Sequence, residues 1–175
     1  MLLYTIQSLE VMAYLYTHQI YYPSFDRCDM LIDDDFKAAF EEPYKWMTEQ
    51  YNKRKKTKYI SAPVWWRTDY KETVQAYNRS ETGYVLIKAH VPDKLVLFHD
   101  ADLWEIGPFV NVPLGWIVEN EKFFDALWDL HKKNHPATIQ TWENIFNISN
   151  SNPPECIHAT TQYIDISWLE RFDND

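Results

Sequence analysis

The sequence predicts an α+β domain: a mixed, mainly antiparallel sheet of five or six strands with helices packed against it, forming one unit over residues 1–175. Three observations predict it. A short apolar strand opens the chain and feeds straight into a capped helix. β-Branched and aliphatic runs dominate the middle. Finally, 8 Trp, 12 Tyr and 9 Phe supply a bulky core to a chain long enough to bury one.

Leu2 to Ile6 reads as the first strand, and Ser8 as the cap of a helix reaching about Gln19, because Met12, Leu15, Tyr16 and Ile20 recur at helical spacing. A loop follows to about Ile32. Asp33, Asp34 and Asp35 then stand where a helix N-terminus favours negative charge, ahead of Phe36, Phe40, Tyr44, Met47 and Tyr51 at steps of three and four. Pro43 lacks an N–H, so two stacked helical pieces are expected there. Lys53-Arg54-Lys55-Lys56 reads as a solvated helix end whose cations offset the macrodipole, the alternative being a phosphate-binding patch.

Pro63 to Arg67 is short and β-favouring. Tyr84 to Val91 and Leu95 to His99, separated by Pro92-Asp93-Lys94, read as a hairpin in a central sheet. The unbroken apolar run Tyr84-Val85-Leu86-Ile87 reads as buried on both faces. Asn120 caps a helix from Glu121 to about Lys132, and a short helix surrounds Trp142 to Phe146. Ser149 to Pro154 is a polar loop, and Cys156 to Ile164 is the last strand. Ser167 and Glu170 make a capping-box pair for a terminal turn carrying Trp168, Leu169 and Phe172.

Composition excludes several functions. Only 3 Gly are present, at 83, 107 and 115, too far apart for a Walker A loop or a Rossmann fingerprint. With 17 Lys+Arg against 26 Asp+Glu the net charge is −9, which argues against nucleic acid as a partner. Cys28 and Cys156 could form only one bridge, too few to staple a secreted domain, so thiols in a cytoplasmic protein are expected. The opening lacks the basic segment of a signal peptide, and no apolar run approaches the roughly 18 residues of a membrane span.

Four groups of residues could carry chemistry. His131 and His135 are spaced to share a helix face, but Asn134 and Pro136 fray that helix and no Glu stands between them, so a helix-end pair is the reading rather than a metal site. His99, Asp100 and Asp102 cluster just beyond a strand, where functional loops are often carried. They form a candidate acid–base loop or cation site, unless Asp102 merely caps the turn with Leu103 and Trp104 and Asp100 makes an Asx-turn. Trp65-Trp66-Arg67 places one indole on each side of a strand and Arg67 beside Trp65, a face able to stack a flat ligand. Thr5 and Gln7 on the first strand, and His158 and Gln162 on the last, could point into a cleft.

The motifs Tyr4-Thr5-Ile6-Gln7-Ser8, Pro63-Val64-Trp65-Trp66, Val96 through Trp104 and Trp142-Glu143-Asn144-Ile145-Phe146 together resemble a bacterial and phage family of uncharacterised proteins, a domain of unknown function. Where that family tends to read Ile-Gln-Ala in its last strand, this chain has Ile157-His158-Ala159. At the level of fold the order of elements also resembles compact ADP-ribosyltransferases. That resemblance implies NAD as cofactor, held by Thr5, Gln7, Trp65, Trp66 and Arg67, with His158 and Gln162 as the catalytic candidates at the ribose. The chain departs from it in having no Arg or His on strand one and no Glu on the last strand. The sequence therefore supports two functional expectations: an NAD- or nucleotide-binding protein of ADP-ribosyltransferase type, active or catalytically degenerate, or a non-enzymatic acidic module that binds a protein, such as a phage- or defence-related inhibitor.

Overall fold

The computed structural model describes residues 1–28, 34–80, 82–106, 142–150 and 156–170. The opening is as the sequence predicts. β1 (Leu2–Ser8) runs directly into α1 (Leu9–His18), because the Ser8 hydroxyl accepts from the Val11 N–H and starts the helix. Gln19 ends it in a left-handed conformation, φ 69°, donating its N–H back to the Leu15 carbonyl. That reversal starts β2 (Ile20–Tyr21). α2 (Asp34–Lys55) is one continuous helix through Pro43, not two pieces, so the missing donor is tolerated rather than breaking the element. Arg54 at its end is no solvated cation: it pairs with Glu143 at 2.5 Å, hydrogen-bonds Gln50 and lies 4.0 Å over the Phe146 ring, tying α2 to the turn at Glu143–Phe146.

β3 (Val64–Arg67) is followed by α3 (Tyr70–Tyr77), a helix the hydrophobic spacing does not announce. Asp69 caps it by accepting from the Glu72 N–H at 2.7 Å. β4 (Tyr84–His90), β5 (Leu97–Asp100), α4 (Ala101–Ile106), β6 (Ile157–Thr161) and β7 (Ile164–Asp165) complete the described elements. The main sheet has five strands in the order β4-β1-β3-β6-β5, every neighbouring pair antiparallel, and β2 pairs with β7 in a second, two-stranded sheet. The predicted α+β class holds.

The predicted hairpin does not. β4 pairs with β1 along its whole length, from Leu2 opposite His90 to Ser8 opposite Tyr84, and β5 pairs with β6 at the far edge. Pro92 begins a tight 3-10 turn, Asp93–Leu95, that carries the chain across the end of the sheet instead of folding it back. β4 is accordingly an edge strand with Ile87 and Ala89 buried and its other residues partly or fully exposed, not buried on both faces. At the C-terminal end Asp165, not Ser167, caps the turn Ile166–Trp168, and Glu170 pairs with Lys88. The helix expected after Asn120 and the pair His131 and His135 lie outside the described residues.

Strand alternation splits the core in two. On one face Leu3, Trp66, Ile87, Ala89 and Ala159 pack with Leu15 of α1, Ile164 and Trp168. On the other, Leu97 meets Met47 and Tyr51 of α2 and Ile145, flanked by Trp65, Leu103, Trp104 and Phe146. Cys28 and Cys156 remain thiols. No helix among the described residues is long and apolar enough to cross a membrane.

Trp66 is wholly buried, and its one polar atom, Nε1, donates to Thr161 Oγ1 at 2.9 Å. Thr161→Val keeps the shape but strands that donor, and we expect a loss of about 1–3 kcal/mol in denaturant unfolding. Thr161→Ser retains the acceptor and should lose clearly less.

Candidate functional site

β1 meets β3 at one register pair, Tyr4 opposite Arg67. No further β1–β3 pair forms beyond it, while β1 runs on along β4 and β3 along β6 on their other edges. The gap is a cleft. One cavity there, about 220 Å³, is bordered by Thr5, Ile6, Gln7, Trp65, Trp66, Arg67 and His158. A neighbouring cavity, about 230 Å³, shares Ile6, Gln7 and Trp65 and adds Ser8, Tyr21, Arg27, Cys28 and Tyr44 among others.

The structure thus brings Thr5, Gln7, Trp65, Trp66, Arg67 and His158 to one place. They do not act from one side. Register puts Thr5 and Gln7 on the α1 face of the sheet, with the Gln7 amide donating to Thr5 Oγ1 at 2.9 Å, while Trp65, Arg67 and His158 stand on the α2 face. Trp66 borders the cleft, but its indole belongs to the α1-side core. Gln162 is not brought there: it is fully buried beyond β6, where Ser61 Oγ donates to its backbone carbonyl at 2.8 Å.

A residue that sequence reasoning missed completes the cluster. Glu72, in the first turn of α3, forms an ion pair with Arg67, and both its oxygens lie 3.3 Å from His158 Nε2. The tight β3–α3 connection aims it there: Asp69 fixes the helix start, and Thr68 Oγ1 donates to the Ile157 carbonyl at 2.6 Å, holding the turn against β6. Asp69-x-x-Glu72 was the available signal, but that spacing reads only as a helix start. Glu72 thus brings a carboxylate from α3 to Arg67 and His158.

His99, Asp100 and Asp102 do not converge. Asp100 is the cap, accepting from the Leu103 N–H at 2.8 Å, the role the sequence suggested for Asp102; Asp102 instead accepts from Cys156 Sγ at 3.0 Å. Among the described residues no three His, Cys, Asp or Glu side chains gather as a metal site. His99 turns the other way, register partner of His158 with the rings 6.2 Å apart and perpendicular. It is wholly buried against Trp65 (5.4 Å, edge-on) and Trp104 (6.4 Å). Burial, and then the neighbouring His158, push its pKa down to about 3, opposed only in part by the Leu97 backbone.

A histidine whose folded pKa lies below its unfolded value of about 6.5 binds its proton preferentially in the unfolded chain. The stability this provides is complete above that pH and drains away as pH falls toward 3. Between pH 6 and 4 unfolding free energy should fall more steeply in the native protein than in His99→Phe, by up to about 1.4 kcal/mol per pH unit. Parallel slopes in denaturant titrations at several pH values would reject this.

No curated protein and no solved structure matches the chain. A family does: the family described as a domain of unknown function (DUF3841) matches residues 2–123, which take in Thr5, Gln7, Trp65, Arg67 and Glu72 but not His158. That match covers well over half of the sequence, from the opening strand past the fifth, and the chain therefore belongs to the DUF3841 family.

Proposed function

We propose that this protein binds a nucleotide, with NAD the first candidate, in the cleft where β1 and β3 diverge, in the manner of an ADP-ribosyltransferase or a catalytically degenerate relative of one. The observation that carries this reading is the convergence there of an aromatic face, Trp65, with an Arg67–Glu72–His158 cluster and the polar pair Thr5 and Gln7. The aromatic face suits a base or nicotinamide ring. Thr5 and Gln7 supply neutral hydrogen-bonding groups at the opposite wall. Glu72 is the carboxylate that could stabilise an oxocarbenium-like ribose, and Arg67 and His158 hold it in place. The two neighbouring cavities share Ile6, Gln7 and Trp65 as walls, and together they reach the size range of small-ligand pockets.

Thermal shift of the purified protein against NAD, ADP-ribose and other nucleotides tests this. A ligand at 100 times its Kd stabilises by about 2.7 kcal/mol, a rise of about 5–10 °C for a domain this size. Gln7→Ala and Arg67→Gln should cut the shift at least by half while the apo variants stay folded. A flat response to every nucleotide at millimolar concentration would overturn the proposal.

A second reading rests on a different surface. Ile60 is 92% exposed and Tyr22 51%, and both border a groove with Phe25 and Tyr59. Exposed apolar surface on a strongly acidic chain suits a non-enzymatic module that binds a protein, among them a phage- or defence-related inhibitor.

A further inference from the structure

The end of α2 and the loop after it carry features that the cleft does not use. Lys53, Lys56 and Lys58 are exposed and Lys55 is half-buried, and among the described residues none of the four forms an ion pair. Arg54, the other cation of this run, is occupied by Glu143. Burial lowers the pKa of Lys55, and no neighbouring carboxylate raises it again. On a chain of net charge −9 this is a local patch of the opposite sign.

The loop is pinned at both ends around one apolar side chain. Asn52 Oδ1 accepts from the Tyr59 N–H and the Thr57 hydroxyl, both at 2.8 Å, and the Asn52 amide donates to the Tyr59 carbonyl at 2.8 Å. On the far side Ser61 is buried, its carbonyl accepting from Thr48 Oγ1 at 3.0 Å and its hydroxyl donating to the Gln162 carbonyl at 2.8 Å. Ile60, between these anchors, is 92% exposed. An ordered loop that holds an isoleucine in water gains nothing from the hydrophobic effect there until another apolar phase covers it. Tyr22 and Tyr59, ring centroids 6.3 Å apart, border the same groove as Ile60, and Asp26 is the one carboxylate among its described lining.

Shape and charge select the partner. A peptide hot spot is a pocket that encloses an anchor side chain, whereas Ile60 projects. Recognition of an individual carboxylate or phosphate favours the planar fork of arginine, but the free cations here are lysines, point charges on flexible stems. A projecting isoleucine, lysines whose stems can lie along apolar surface, and amphipathic tyrosines match a surface that is apolar inside and diffusely anionic outside. Repulsion from the remaining acidic surface is screened beyond about 8 Å at physiological salt, so the face in contact decides.

We propose that the end of α2 and its loop, Lys53 to Ile60, dock on the anionic face of a lipid bilayer, with Ile60 entering the headgroup boundary and Lys53, Lys56 and Lys58 lying among the headgroups. The chain rests on the bilayer and does not cross it. This is independent of the nucleotide reading of the cleft, and it takes the apolar groove to a lipid surface instead of a protein.

The test is co-flotation of the full chain with large unilamellar vesicles, either phosphatidylcholine alone or phosphatidylcholine with phosphatidylglycerol at one lipid in three. Binding should be confined to the mixed vesicles and should weaken as salt is raised. Lys56→Gln combined with Lys58→Gln should weaken it about 25-fold, at about fivefold per lysine. Ile60→Ser should weaken it about fivefold with an unchanged melting temperature, because the side chain it removes is already in water, and Ile60→Trp should tighten it. No partition onto the mixed vesicles, equal partition onto phosphatidylcholine alone, or native partition of Ile60→Ser each overturns the proposal. Binding of soluble polyglutamate without binding of the mixed vesicles overturns it in favour of an acidic protein partner.

Discussion

The candidate site depends on one backbone pairing, Tyr4 opposite Arg67, where β1 and β3 touch before they separate. β1 pairs along seven residues with β4 on one edge and β3 along four with β6 on its far edge, while the edges that face each other share a single register pair. This seam is the least paired in the sheet. Side chains from both faces border that gap, which is why polar residues on opposite sides of the sheet, Gln7 and Arg67, share one cleft.

Around this seam, charge and burial are arranged in two layers. At the cleft, Arg67 forms an ion pair with Glu72, and His158 Nε2 lies against the same carboxylate. Behind it, Trp65, His99 and Trp104 form a dry aromatic wall in which an imidazole is held neutral by desolvation. His158 belongs to both layers, bonded to Glu72 on one side and facing His99 on the other. A charge placed at the cleft is therefore felt by the buried imidazole through a single ring.

Much of the local structure was legible. Ser8 announced α1, and the strand Trp65-Trp66-Arg67 showed by alternation alone that one indole lies on each face and that Arg67 sides with Trp65. Six of the residues named from the strands as candidates border one cleft. What misled was pairing. Two apolar runs around a proline turn suggest a hairpin, but the pattern of a strand says which side is buried and not which neighbour it takes. For the same reason Gln162, on a face-counting argument the companion of His158, lies past the end of β6 in the interior.

By itself the sequence determined the α+β class, the absence of glycine-rich phosphate loops, the acidic surface charge, and the strand faces, because these follow from composition and from periodicities of two and 3.6 residues. Only the tertiary structure decided that β1 and β3 meet at a single register pair, that Glu72 reaches Arg67 and His158, and that His99 is buried against Trp65. Those are contacts between residues up to 86 positions apart, set by which strands lie side by side in the sheet and which helix packs over them. No local pattern encodes that choice.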